Sequence, residues 1–484
     1  MDSNLRNFKS QIIKNQTINC NYQNREVYLH KKSIKMFIYL DWLLNKFNKY
    51  RQSIGLSFFF GGLPLVYFLR DGLKLAQGST AFTAGIAILS LLIAFPLNPK
   101  KLYQTNTIGY LMCILYGIMA LSYLAAYAPN RGWFTNTPIE VGNQIVFLTA
   151  MFIFAGISIN SLKSTFLYFT LFFCTLGGIS LLYYIARNPA YMFGMRAAIS
   201  FGDEGGMASM GNPHIYAKSA YIGIVAGVIL LRSELRILWR TVIIGSVFTL
   251  IIVIGLCQAM AMVLITGIFF FLYFIANIKA NNIYKGLKWL MGWRGFIIFF
   301  VLIYIGFSLW NNAHYKGYFL VAVDIIGERL GKIITSFFTD SDSVAKVKSV
   351  VDDSASTRVV NITKVFTNLS KNVENGNWFL IFFGHGYQEY YVDSPFIEIF
   401  HDLGLIGFLI FNVLHFVILK WIWKEIFNPT CDFTLMLAYF FLATFIQNFT
   451  MGMPYDYGRW CAMAFVARFA LNYKKVRFQN TIIT

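Results

Sequence analysis

Apolar residues run through this chain in blocks of about twenty, without the polar stripe that marks a helix lying on a soluble core. Blocks near 54–70, 80–97, 105–127, 142–159 and 164–186 come first. Others follow near 214–231, 239–256, 259–277 and 294–310, then near 396–419, 432–450 and 457–471. As α-helices, such blocks match a hydrocarbon layer ~30 Å thick. The block 241–278 is too long for one crossing, so a tight reversal is predicted around Gly255–Gln258. The pattern predicts an all-α polytopic integral membrane protein with about 12 transmembrane helices.

The polar intervals divide the chain further. A basic amino-terminal region (1–53) precedes membrane helices over 54–310, a large, partly helical outer loop (311–395), further helices over 396–471 and a short tail (472–484). No apolar core with a small-residue cleavage site opens the chain, so no cleavable signal peptide is expected. Residues 31–50 suit either a helix on the membrane surface or a short soluble helix. Within the outer loop, ASTRVVNITKVFTNLSKNVENG reads as helix and suggests a small cap.

Composition agrees with the pattern: 57% of residues are hydrophobic and 13% charged, against roughly 25% charged in soluble domains. The net charge of +19 does not come from a basic domain interleaved with aromatics, so no nucleic acid is expected. Lys and Arg instead gather in alternate connections: the amino-terminal region, Lys100–Lys101, Lys163, Arg232/Arg236/Arg240, Lys279/Lys285/Lys288, Lys420/Lys424 and the tail. The positive-inside tendency then places both termini in the cytoplasm. Segments 187–213, 311–395 and 451–459 fall on the far side. None of the six cysteines lies in the long loop, so no disulfide framework is indicated.

The sequence lacks a Gly-rich loop followed by Lys, a His/Cys/Asp set at metal spacing and a GxSxG elbow. No cofactor and no metal are expected. The far side carries the candidate chemistry. Arg196 and Arg358 suit a diphosphate, because a guanidinium donates paired hydrogen bonds and keeps its charge. Asp393, with Ser394–Pro395, stands at a helix entrance, and His385 and His401 flank it. Asp393 is the first candidate to take a proton from an attacking hydroxyl, with His385 and His401 behind it. Glu398 shares a helical face with His401 and Asp402, and Tyr387, Glu389, Tyr390, Tyr391 and Arg459 are further candidates to line a site. Each has a plainer reading: Arg196 and Arg459 as interfacial anchors, Arg358 as a solvated cap residue, Asp393 as a helix cap, and the histidines and glycines as packing or turn residues.

The stretch DSPFIEIFHDLGLIGFLIF (393–411), with FFGHG upstream at 382–386 and GNPHIYAKSA at 211–220, resembles the family of bacterial O-antigen ligases and Wzy-type polysaccharide polymerases. The layout is similar too, with many spans and a large outer loop late in the chain. Ligases of that family carry His–Asn where this chain has Asp393–Ser394, which points to the polymerase branch. A Ser–Arg–Gly-like turn of the family is replaced by Gln258–Ala259–Met260. The resemblance implies an inverting, metal-independent glycosyltransferase of the bacterial inner membrane, working at its periplasmic face on undecaprenyl-diphosphate-linked oligosaccharides, with a separate chain-length regulator as a possible partner. Transfer to lipid A–core, and transport of a lipid-linked glycan, are the competing functions.

Overall fold

A backbone in lipid has no hydrogen-bond partner but itself, and all regular structure among the described residues is helical. The computed structural model describes residues 50–96, 107–127, 137–189, 212–277, 353–387, 394–450 and 454–469. It adds Phe47, Tyr191, 195–199, Val392, Gly452 and scattered positions between 300 and 327; at some helix ends, 353–359 among them, only the backbone is described. The expected span 294–310 and amino-terminal surface helix lie largely outside these residues. Residues 53–484 group as one unit and 1–52 as another.

In chain order the helices are α1 (Tyr50–Gly61), α2 (Leu63–Tyr67, continued by a π-helical turn, Phe68–Gly72), α3 (Thr80–Ala94), α4 (Thr107–Tyr127) and α5 (Thr137–Ala155). Next come α6 (Lys163–Arg187), α7 (Pro213–Leu230), α8 (Ile237–Cys257) and α9 (Met260–Asn277). The cap contributes α10 (Asp353–Glu374) and α11 (Trp378–Phe383); α12 (Pro395–Phe427), α13 (Asp432–Thr450) and α14 (Tyr457–Phe469) complete the set. Among the described residues, six helices (α6, α7, α8, α9, α12 and α13) are long and apolar enough to cross a membrane, or seven if α1 and α2 form one bent span. Shorter apolar helices run over Thr80–Ala94, Tyr110–Ala126 and Glu140–Ala155. This is the architecture of a helical membrane protein.

Burial separates the helices into a centre and a rim. The most apolar window of α7 and of α13 is 72% buried, against 28% for α8 and 22% for α9. Small residues let the central helices approach. A Cβ on Gly223 would lie 2.6 Å from Cβ of Cys174, and one on Gly227 2.5 Å from Cγ2 of Val247. Tyr221 of α7 donates its hydroxyl hydrogen to the Tyr439 carbonyl of α13 at 2.9 Å. At the other flank the Tyr116 and Trp460 rings stack with centroids 3.4 Å apart.

Three local features interrupt regular helix. Between α8 and α9, Gln258 takes a left-handed conformation (φ 49°, ψ 34°), so the long apolar block is divided into two helices at the position where the reversal is expected. Such a residue ends a helix by turning its last amides back. The span expected near 54–70 contains a break at Gly61–Gly62, with α1 and α2 bent by 71°. Pro64 has no N–H to donate to the previous turn, the Leu65 N–H goes to the Gly62 carbonyl at 3.0 Å, and the Gly61 carbonyl accepts from the Ser219 hydroxyl at 2.7 Å. The third interruption is Gly404 inside α12, at φ 65° and ψ −168°.

Gly404 explains how the cap is held. The break leaves carbonyls of the first turns of α12 without helical donors; the His385 N–H donates to the His401 carbonyl and the Gly386 N–H to the Asp402 carbonyl, both at 3.0 Å. The strap 384–387 thus hooks onto the broken helix. Gly384 also has positive φ (80°), and the two glycines pack backbone to backbone. A Cβ on Gly384 would stand 2.5 Å from the Gly404 nitrogen, and a Cβ on Gly404 2.5 Å from the Gly384 nitrogen. Tyr123 of α4 adds a hydrogen bond to the Phe383 carbonyl.

Candidate functional site

Polar residues converge where several helices end. The carboxyl end of α1, α2, one face of α3 from Thr83 to Ser90, the amino-terminal turns of α5, α7 and α14 and the carboxyl half of α13 surround a cavity of about 460 Å³, within the usual size range for ligand sites. Its walls are mixed. Phe58, Phe59, Phe60, Leu63 and Val66 supply apolar surface; Lys218, Arg459, His214, Glu140 and Asp456 supply charge or protons.

Each polar group is positioned by local chemistry. Asn212 caps α7, its side-chain oxygen accepting from the His214 N–H at 3.0 Å, and Pro213 occupies the first helical position. Lys218 follows in the second turn on the cavity side, with Asp456 and Arg459 within electrostatic reach. Asp456 precedes α14 and accepts from the Gly458 N–H at 3.1 Å. Arg459 is buried one turn later. Two cations therefore border one cavity, with a carboxylate between the elements that carry them.

A second cluster lies behind the cavity wall. The Tyr387 hydroxyl donates to Glu140 Oε2 at 2.8 Å, and its ring lies 4.1 Å from that of Tyr455. Tyr455, a cavity-lining residue, donates its own hydroxyl to Asp402 Oδ2 at 3.1 Å. The other oxygen of Asp402 accepts from His401 Nδ1 at 3.1 Å. The His401 ring stacks on that of His385, centroids 4.5 Å apart, and Asn372 of α10 donates Nδ2–H to His385 Nε2 at 2.8 Å. Burial, followed by the Glu140 carboxylate, pushes the Tyr387 phenol well above its usual pKa. Burial, followed by Asp402, does the same for Tyr455. Both phenols stay protonated and act as donors.

The sequence candidates divide accordingly. Arg459 lines the cavity. Tyr387, His385, His401 and Asp402 join in the cluster just described, tied to the cavity through Glu140 and Tyr455. His385 and His401 border a crevice of about 10 Å³, room for about one water molecule and no substrate. Glu398 is buried, one oxygen accepting from the Val392 N–H at 3.1 Å, which fixes the strap's return into α12. Arg196 is exposed, while the neighbouring Ala197 N–H donates to the Leu256 carbonyl. Arg358 lies on the backbone of α10, its side chain outside the described residues, and Asp393, Glu389, Tyr390 and Tyr391 also lie outside them. Arg358 is fourteen residues from Asn372 on one helix, roughly 21 Å along its axis.

Lys218, Glu140, Asp456 and His214 are functional candidates that reading the chain for loops passes over. Lys218 carries a signal, since an ionisable residue inside an apolar helix marks a site by default. Among the described residues, no group of three or more His, Cys, Asp or Glu is placed to hold a metal. Compared with protein-family models, curated proteins and solved structures, the chain matches none.

Proposed function

We propose that the protein is a polysaccharide polymerase of the Wzy type. It would transfer a glycan from undecaprenyl diphosphate onto a lipid-linked repeat unit at the periplasmic face of a bacterial inner membrane. The observation that carries the reading is the pairing of Lys218 and Arg459 on one cavity that also has apolar walls. A lipid diphosphate needs both: cations for its charge, apolar surface for the start of its chain.

Direction adds support. α7 runs from the cavity to the opposite end, where Arg232, Arg236 and Arg240 follow it, and α12 runs the same way towards Lys420 and Lys424. With the basic end in the cytoplasm, the cavity opens outward. In the reaction an acceptor hydroxyl attacks the donor anomeric carbon. The bond to the diphosphate oxygen breaks, and undecaprenyl diphosphate leaves with the electron pair. Lys218 and Arg459 stabilise the charge that grows on it.

The test is purified protein in vesicles supplied with lipid-linked repeat units. Longer glycans together with released undecaprenyl diphosphate, without lipid A–core, support polymerisation. A requirement for lipid A–core would make it a ligase. Transport is the second reading, favoured by the broken pair α1–α2 beside the cavity, since interrupted helices often line transport sites. Movement of unaltered lipid-linked units between leaflets would identify that function instead.

A further inference from the structure

We propose that Glu140 is the general base of this transfer. The inference rests on the polymerase reading and assigns a carboxylate to its proton step. Glu140 lies in the first turn of α5 and lines the cavity that Lys218 and Arg459 also border. One oxygen, Oε2, is held by the Tyr387 hydroxyl at 2.8 Å. The side chain itself lines the cavity. Tyr387 is itself locked, 4% exposed, packed against the Tyr455 ring and carried by the strap that hooks onto α12 at Gly404. A base anchored through one oxygen presents the second in a fixed direction, which is what proton transfer at about 3 Å requires.

The other titratable groups of the cavity suit the role less well. Asp456 lies within electrostatic reach of Lys218, and one of its oxygens serves the Gly458 N–H; it sits among the cations assigned to the leaving diphosphate. His214 occupies the first turn of α7, the helix that also carries Lys218, and so stands beside a cation assigned to the leaving diphosphate. At the start of α5 the positive helix end favours the ionised, proton-accepting carboxylate of Glu140. Outside the cavity, His385 and His401 face each other across stacked rings with no room for a sugar between them.

The step balances without another reactant. The acceptor oxygen forms its bond to the anomeric carbon as its proton passes to Glu140 Oε1. The carbon–oxygen bond to the diphosphate breaks on the opposite face, and the diphosphate takes the electron pair. Glu140 then returns the proton to water. Tyr387 is a positioning residue, acting through Glu140.

The experiment measures elongation by wild-type protein in vesicles containing lipid-linked repeat units, then by Glu140→Gln, Glu140→Asp, Tyr387→Phe and the double variant Glu140→Gln/Tyr387→Phe. Variants are first matched to wild type in thermal unfolding. Glu140→Gln should lower kcat roughly 100-fold or more while KM for the donor stays within about threefold. Glu140→Asp should keep part of the rate. Tyr387→Phe should slow the wild type yet add nothing to Glu140→Gln, as expected for two residues acting as one unit. Glu140→Gln elongating at near the wild-type rate overturns the assignment and leaves the polymerase standing. Wild type that elongates nothing overturns both.

Discussion

Lys218 and Arg459 are the residues whose charge the proposed reaction uses most directly. Each charge-assisted hydrogen bond to a phosphate is worth about 1.5–3 kcal/mol. Lys218→Met and Arg459→Met should therefore each raise the donor KM by roughly one to two orders of magnitude, read from the dependence of elongation on donor concentration. Tyr455 tests the cluster behind the wall. In Tyr455→Phe the buried Asp402 loses one of its two hydrogen-bond donors described above, and thermal unfolding in detergent should report a loss of about 1–3 kcal/mol. At this scale the sequence is legible in part. Arg459, His385, His401 and Asp402 can be picked out because they stand in polar, turn-rich stretches near helix ends. Lys218 is legible only when the apolar helices themselves are read for ionisable residues, and Glu140 is harder to see because it reads as loop, α5 starting five residues before the expected 142. Nothing in linear order announces that residues 140 and 387 touch.

Among the elements, the helices themselves follow from their apolar runs, since lipid leaves the backbone no alternative. Their breaks depend on side-chain-free positions whose effect is set by neighbours. Gly61–Gly62–Leu63–Pro64 contains the signal for a bend, a Gly pair before Pro, yet the partner of the Gly61 carbonyl at the break is Ser219, far along the chain. Gly404 lies in a stretch that reads as continuous helix, and its positive φ is stabilised by the strap that returns from the cap. Gly384→Ala and Gly404→Ala should each cost about 1–3 kcal/mol from backbone strain alone, with the clash in addition. The expected readout is faster hydrogen exchange at the His385 and Gly386 amides, while amides of α7 keep their protection.

For the whole molecule, the division into a central pair and a lipid-facing rim predicts opposite tolerances. Phe271→Ala, on the exposed face of α9, should leave thermal stability nearly unchanged, because lipid replaces the lost contact. Gly227→Val, where even a Cβ meets Val247, should prevent α7 and α8 from closing and lower the yield of folded protein. Direction in the membrane is equally testable. In the proposed orientation, a cysteine placed at Gly376 should react with a membrane-impermeant thiol reagent from the periplasmic side and one at Ser233 should not. Gly376 leads into the strap held on the first turns of α12, and Ser233 follows the end of α7 away from the cavity. The contact between Gly384 and Gly404 has a genetic consequence. Damage at one partner is ordinarily repaired by shrinking the other, but both are already the smallest residue. Revertants of either substitution should therefore restore glycine itself, and intragenic suppressors at the facing position should not be recovered.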